Sequence, residues 1–246
     1  MGETLGGAVA ILIMALLYSS VGHGGGSGYL AAMALLGVAA NVMRPTALVL
    51  NLLVAGIATV QFARSGYFSW RIFWPFAVAS VPLAYLGGRV HLPGTFYKQL
   101  VGLALLFAAG RLWMTARQAG ETTATRLPPL PLALAIGALL GFVAGLTGVG
   151  GGIFLSPLLL LFRWADTRQT SAVSAAFIWV NSAAGLAGQT AQLTALPHSL
   201  WLWAGAALIG GALGSEMGRK RLDTTILRRV LAVVLVIAGG KLLLTG

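Results

Sequence analysis

The chain has 246 residues, 58% of them hydrophobic and 9% charged, with no cysteine and a formal net charge of +11. So apolar a composition excludes an ordinary soluble domain, and the absence of thiols excludes disulfides, thiolate catalysis and thiolate metal sites. The Lys and Arg residues lie mostly in short stretches between apolar segments, a placement that the positive-inside rule explains without a nucleic-acid partner.

Apolar segments of roughly spanning length recur at 5–21, 46–62, 72–88, 99–115, 132–147, 171–190, 199–217 and 229–244. The first reads as part of the mature protein, because Glu3 is the only charge before Arg44 and a signal peptide opens with Lys or Arg. It runs into Gly22-His23-Gly24-Gly25-Gly26, and a shorter apolar arm, 28–40, follows. The same arrangement recurs at Gly148-Val149-Gly150-Gly151-Gly152, with the arm 153–162 behind it. Unwound backbone at membrane depth costs several kcal/mol per unpaired group unless protein buries it or it lines a cavity. Two breaks at matching places in two halves therefore point to a transporter's binding site.

The halves match beyond the glycines. Arg44-Pro45-Thr46-Ala47 answers Arg168-Gln169-Thr170-Ser171, and Tyr85-Leu86-Gly87-Gly88 answers Ala212-Leu213-Gly214-Ser215. Repeats at 1–115 and 132–246 are expected, joined by a linker at 116–131 that carries Pro128, Pro129 and Pro131. If each glycine knot joins two arms that return to the side they left, twelve of the 16 Lys and Arg residues lie inside and four, Arg44, Arg89, Lys98 and Lys241, outside. Placing each knot within a single crossing gives a weaker ten-to-six division. The expected fold is an all-α polytopic membrane protein of two inverted repeats, each a glycine-broken hairpin followed by three spanning helices. Trp70, Trp74, Trp113, Trp164, Trp201 and Trp203 are expected in interfacial belts.

Helix N-termini at the knots would present free N–H groups and partial positive charge. The five acids, Glu3, Glu121, Asp166, Glu216 and Asp223, all fall in loops or at segment ends, so a cation would lack a counter-ion and the expected substrate is a small anion. The expected site comprises Ser20, Gly22, His23, Gly24, Gly25, Gly26 and Ser27 from the first knot, and Thr147, Gly148, Gly150, Gly151 and Gly152 from the second. Asn51, Asn181 and Gln189 join it from the following spans, with Ser19, Ser156 and Gln61 nearby. Arg44 and Arg168, in matching positions before a span, read either as interfacial anchors or as an anion gate. No catalytic set, metal site or cofactor is expected, and the absence of G-x-x-x-x-G-K-[ST] leaves transport passive or gradient-coupled. Proton or sodium coupling and a homodimer both stay open.

The duplicated G-x-G-G-G break and the [RK]-x-T-[SA] element behind each copy make the chain similar to the TauE/SafE family of membrane permeases. The resemblance is carried by Gly22 to Gly26 with Thr46-Ala47, and by Gly145, Gly148, Gly150 to Gly152, Pro157 and Thr170-Ser171. It implies movement of small sulfur oxyanions or organosulfonates across the cytoplasmic membrane of a prokaryote. Two other readings compete: a non-transporting membrane scaffold, and an intramembrane serine protease in which Gly25-Gly26-Ser27-Gly28 supplies the nucleophile and His91 or His198 the base.

Overall fold

The computed structural model describes residues 2–20, 24–115, 126–189, 196–219 and 224–245. Gly22 and His23 lie outside the described residues, as does most of the expected linker, residues 116–125. Ten helices run through the rest: α1 (Gly2–Ser20), α2 (Gly26–Leu35), α3 (Ala40–Arg64), α4 (Trp70–Arg89), α5 (Gly94–Thr115), α6 (Leu130–Thr147), α7 (Gly152–Leu161), α8 (Thr167–Gly188), α9 (Leu200–Arg219) and α10 (Thr224–Leu244). Among the described residues, α3, α6 and α8 are long and apolar enough to cross a membrane. Other helices turn large apolar side chains outward, as α1 does with Leu5, Val9 and Ile13 at a spacing of four. A helix apolar on every side needs lipid or protein on every side.

Local chemistry explains several boundaries. Asp166 starts α8 with a capping box, its carboxylate accepting from the Gln169 N–H at 2.8 Å while the Gln169 side chain accepts from the Asp166 N–H. Pro131 sits at the start of α6, where its missing N–H costs nothing. Gly148, at φ +83°, ends that helix by donating to the Ala144 carbonyl.

Helix pairs are drawn together by small residues. Along α6, Gly137, Gly141 and Gly145 lie so close to α4 that an added methyl would come within 2.3, 2.2 and 2.0 Å of the Phe76, Ser80 and Ala84 carbonyl oxygens. Gly210 and Gly214 of α9 meet Leu12 and Leu16 of α1 in the same manner. Small residues every fourth position let backbones touch where lipid supplies no hydrophobic drive.

These contacts set directions. α6 runs parallel to α4, and α1 parallel to α9, with Gly7 against Trp203 at their starts. By contrast α3 and α8 are antiparallel: Leu48 meets Gly185, Gly56 meets Trp179, and Tyr67 beyond α3 meets Arg168. So are α5 and α10, with Gly102 against Gly239, Lys98 donating to the Thr245 carbonyl, and Arg229 over the Trp113 ring. One end of the molecule, the Arg44 end, gathers the starts of α3 and α5 with the ends of α4 and α10; the other, the Arg168 end, gathers their opposite termini. Running beside α4, α6 starts at the Arg168 end, and α7 brings the chain back there to enter α8. The ten residues of α7 reach about 15 Å, half a bilayer core. Correspondingly, α2 finishes at the Arg44 end, where Lys241 donates to the Leu35 carbonyl.

Three expectations need correction. The apolar arm expected over 28–40 stops at Leu35, with Gly37 at φ +73°. α3 begins at Ala40 rather than 46, so Arg44 lies inside the helix and is 3% exposed instead of preceding a span. Trp164 and Trp203, placed in interfacial belts, are each only 5% exposed: Trp164 stacks on Phe162 and Trp203 packs against Gly7. Sequence position puts an aromatic near a membrane boundary, but the packing of neighbouring helices decides whether it faces outward.

Candidate functional site

The second knot is built from backbone conformations that side chains resist. Gly148, Gly150 and Gly151 all have φ between +79° and +85°, a left-handed region costing other residues roughly 1–2 kcal/mol. Gly151 is the N-cap of α7, whose first N–H groups have no intrahelical acceptor. Its positive end therefore begins at the knot.

The first knot abuts it. A methyl at Gly26, the first residue of α2, would lie 2.4 Å from the Val149 carbonyl oxygen and 2.5 Å from Asn51 Nδ2. Gly24, Gly150 and Gly152 all press on Ile178 of α8, at 2.7, 2.8 and 2.5 Å from the same hypothetical methyl. The N-termini of α2 and α7 thus converge on one spot walled by Asn51 of α3 and Ile178 of α8.

Polar groups without partners collect there. Asn51 is fully buried and its Nδ2 donates to the Gly148 carbonyl at 3.2 Å, while its Oδ1 has no partner. The Ser182 hydroxyl, equally buried and unpartnered, lies beside Gly150. Tyr29 OH is unpartnered too and touches Gly25. Buried polar atoms are nearly always satisfied, because each left bare costs about 1–3 kcal/mol. Such atoms at the meeting of two helix N-termini are suited to a polar ligand.

Other residues singled out from the sequence have internal partners. Ser20 Oγ donates to the Leu17 carbonyl, Thr147 Oγ1 to the Val143 carbonyl, and Ser27 Oγ to Tyr18 OH, each at 2.8 Å. Asn181 Nδ2 donates to the Phe177 carbonyl at 2.7 Å, leaving its Oδ1 bare. Gln189, 2% exposed, ends α8 with both amide atoms unpartnered; the neighbouring Gly188 packs on Tyr85, toward the Arg44 end.

Arg44 is a staple between helix ends. Its Nε donates to the Gly145 carbonyl at 3.0 Å, Nη1 to Val90 at 2.9 Å, and Nη2 to Gly87 and Gly145. These are carbonyls at the C-termini of α4 and α6, where a cation offsets the negative end of the helix. Arg168 is exposed and lies over the Tyr67 ring at 5.0 Å, donating to its hydroxyl. The matching sequence positions therefore hold two different arrangements.

Sequence reasoning missed Tyr29, Ile178, Ser182 and Tyr97, the last donating from its hydroxyl to the Thr147 carbonyl at 2.9 Å. Ser182 had a weak signal, as the neighbour of Asn181. The others read as ordinary apolar or aromatic positions.

A family model described as "Sulfite exporter TauE/SafE" matches residues 7–242. Over 243 residues the chain is 43% identical to the "Probable membrane transporter protein y4hK" of Sinorhizobium fredii, covering 98% of each protein. The "Probable membrane transporter protein YunE" of Bacillus subtilis is 31% identical over 46% of this chain and 41% of its own length. A "Probable membrane transporter protein MJ0441" of Methanocaldococcus jannaschii is 24% identical over 53% of this chain and 49% of its own. No solved structure matches. The family and these relatives are membrane transporters rather than enzymes, which sets aside the protease reading; such proteins carry a small-molecule substrate in a lipid environment. The chain belongs to the TauE/SafE family of membrane transporters.

Proposed function

We propose that the protein is a multi-pass secondary transporter of the cytoplasmic membrane, moving small sulfur-containing anions such as sulfite, thiosulfate or organosulfonates between the glycine breaks of two inverted repeats. The observation that carries this reading is the set of bare polar atoms, Tyr29 OH, Ser182 Oγ and Asn51 Oδ1, where the N-termini of α2 and α7 converge. Hydroxyl donors and helix N-termini favour an anion, and no described carboxylate lies there: Asp166 caps α8 and Glu216 is exposed.

Helix directions support the repeat. A twofold axis in the membrane plane requires corresponding helices to run antiparallel, as α3 does to α8 and α5 to α10. The same operation turns the α1–α9 pair into the α6–α4 pair, and both pairs are joined through glycines. The basic Arg168 end is then cytoplasmic. Since Gly26 touches Val149 directly, this conformation is closed at the knots, and the two halves must separate there to admit substrate. Movement is passive or coupled to a proton or sodium gradient, and the outward apolar faces suit a homodimer as well as lipid.

Proteoliposomes containing the purified chain should accumulate radiolabelled sulfite or thiosulfate. Gly25→Leu and Gly151→Leu should each abolish uptake. Gly37→Ala, with positive φ but nothing within 4 Å of the added methyl, should preserve it. Uptake indifferent to both leucines would overturn the site.

A further inference from the structure

Along α8, Thr170, Ser174, Ile178 and Ser182 recur every fourth residue and so share one face of the helix. All four are buried. That face looks onto α7 and the knots: Ser174 Oγ lies 2.8 Å from Ser156 Oγ of α7, and a methyl on Gly150 would lie 3.4 Å from Ser182 Oγ. Toward the Arg168 end, Thr170 and Ser156 border a cavity of about 50 Å³. Neither Thr170 Oγ1 nor Ser182 Oγ has a hydrogen-bond partner among the described residues. A row of buried hydroxyls thus runs from the Arg168 end to the knots and is broken at Ile178.

The break falls where both knots meet. A methyl on Gly24 of the first knot would stand 2.7 Å from Cδ1 of Ile178; on Gly152 of the second, 2.5 Å from Cδ1 and Cγ1; on Gly150, 2.8 Å from Cγ2. Every carbon of this side chain beyond Cβ therefore presses on a glycine, and a β-branched residue in a helix holds essentially one rotamer. We propose that Ile178 is the specificity-determining residue of the knot site: its outer carbons occupy the room that a substituent on a bound sulfur would need. The site then takes compact inorganic sulfur oxyanions and discriminates against organosulfonates as their tails lengthen. This rests on the transport reading and narrows its substrate class. Sulfite and a sulfonate present the same three oxygens to the Tyr29 and Ser182 hydroxyls, so those donors do not tell them apart. An apolar wall does, because one methylene too many in a close-fitting apolar pocket weakens binding about tenfold or more.

Alkanesulfonates with one head and a growing tail supply the test. Methanesulfonate and propanesulfonate compete with radiolabelled thiosulfate for uptake into proteoliposomes, and the unfolding midpoint of the purified chain is read with each compound. In the wild type, propanesulfonate should inhibit at least about tenfold more weakly than methanesulfonate. Ile178→Ala, which removes the γ and δ carbons, should bring the two within about twofold. Ile178→Val lacks only Cδ1 and should fall between. A purely structural Ile178 would lower the midpoint of the ligand-free protein and leave that ratio alone, so the ratio decides. Should the alanine variant fail to fold, the valine variant carries the comparison. Propanesulfonate as potent as methanesulfonate in the wild type, or a ratio that ignores both substitutions, would overturn the filter; thiosulfate uptake still abolished by Gly151→Leu would then leave the transport reading standing. A wild type that neither takes up thiosulfate nor is stabilised by any of the three anions overturns both.

Discussion

Arg44 shows how far a single residue's sequence context can mislead about its role. A cation before a membrane span reads as an anchor or a gate, but this guanidinium is 3% exposed and held by the Gly87, Val90 and Gly145 carbonyls. The strong prediction is one of stability. Arg44→Gln leaves buried carbonyls bare at about 1–3 kcal/mol each, so with partial rearrangement the loss should be about 3 kcal/mol. At about 2–4 °C per kcal/mol for a chain of this size, the unfolding midpoint should fall by about 6–12 °C. An unchanged midpoint with lost transport would instead mark Arg44 as a gate. Ile178 is the opposite case. Nothing in its type suggests function, yet three glycines of both knots press on it, because only the crossing of α8 over the knots gives it that position. The glycines were legible for a plain physical reason: positive φ and close backbone approach leave few alternatives to glycine.

At the scale of elements, the four-residue spacing of Gly137, Gly141 and Gly145 is visible in the sequence, but not which helix it serves. The structure sets it against Phe76, Ser80 and Ala84 of α4 rather than against a neighbour in the chain. Gly141→Leu should force α4 and α6 apart, since even a methyl would meet the Ser80 carbonyl at 2.2 Å. Overpacking of this kind costs about 1–3 kcal/mol or more. Gly205→Leu on α9, with nothing within 4 Å, should behave as wild type. Size-exclusion profiles and thermal unfolding of the two variants check the contrast; equal behaviour would mean that close approach does not hold this pair. The early starts of α8 and α3 were both hidden: the apolar segment of α8 begins only at 171, four residues after the start of the helix that Asp166 and Gln169 cap, and Arg44 and Pro45 hid that of α3. A charge and a proline argue against a membrane helix until neighbouring carbonyls accept the charge and the proline falls near the first turn.

For the whole molecule, the paths of the helices make a prediction about sidedness. Ser65, between α3 and α4, belongs to the Arg168 end, and His91, between α4 and α5, to the Arg44 end. In sealed cells, Ser65→Cys should resist an impermeant thiol reagent and His91→Cys should react; the reverse pattern would invert the assignment made from loop charge. Composition alone placed this chain in a bilayer, because an apolar fraction this large leaves no surface for water. Backbone sterics likewise made the glycine breaks readable, and register between the halves suggested a duplication. Only the tertiary structure decided that the two breaks touch, which polar groups stand bare beside them, and that Ile178 presses on both. Those facts depend on residues far apart in the chain meeting across α2, α3, α7 and α8, and no local pattern of charge or hydropathy encodes which helix faces which.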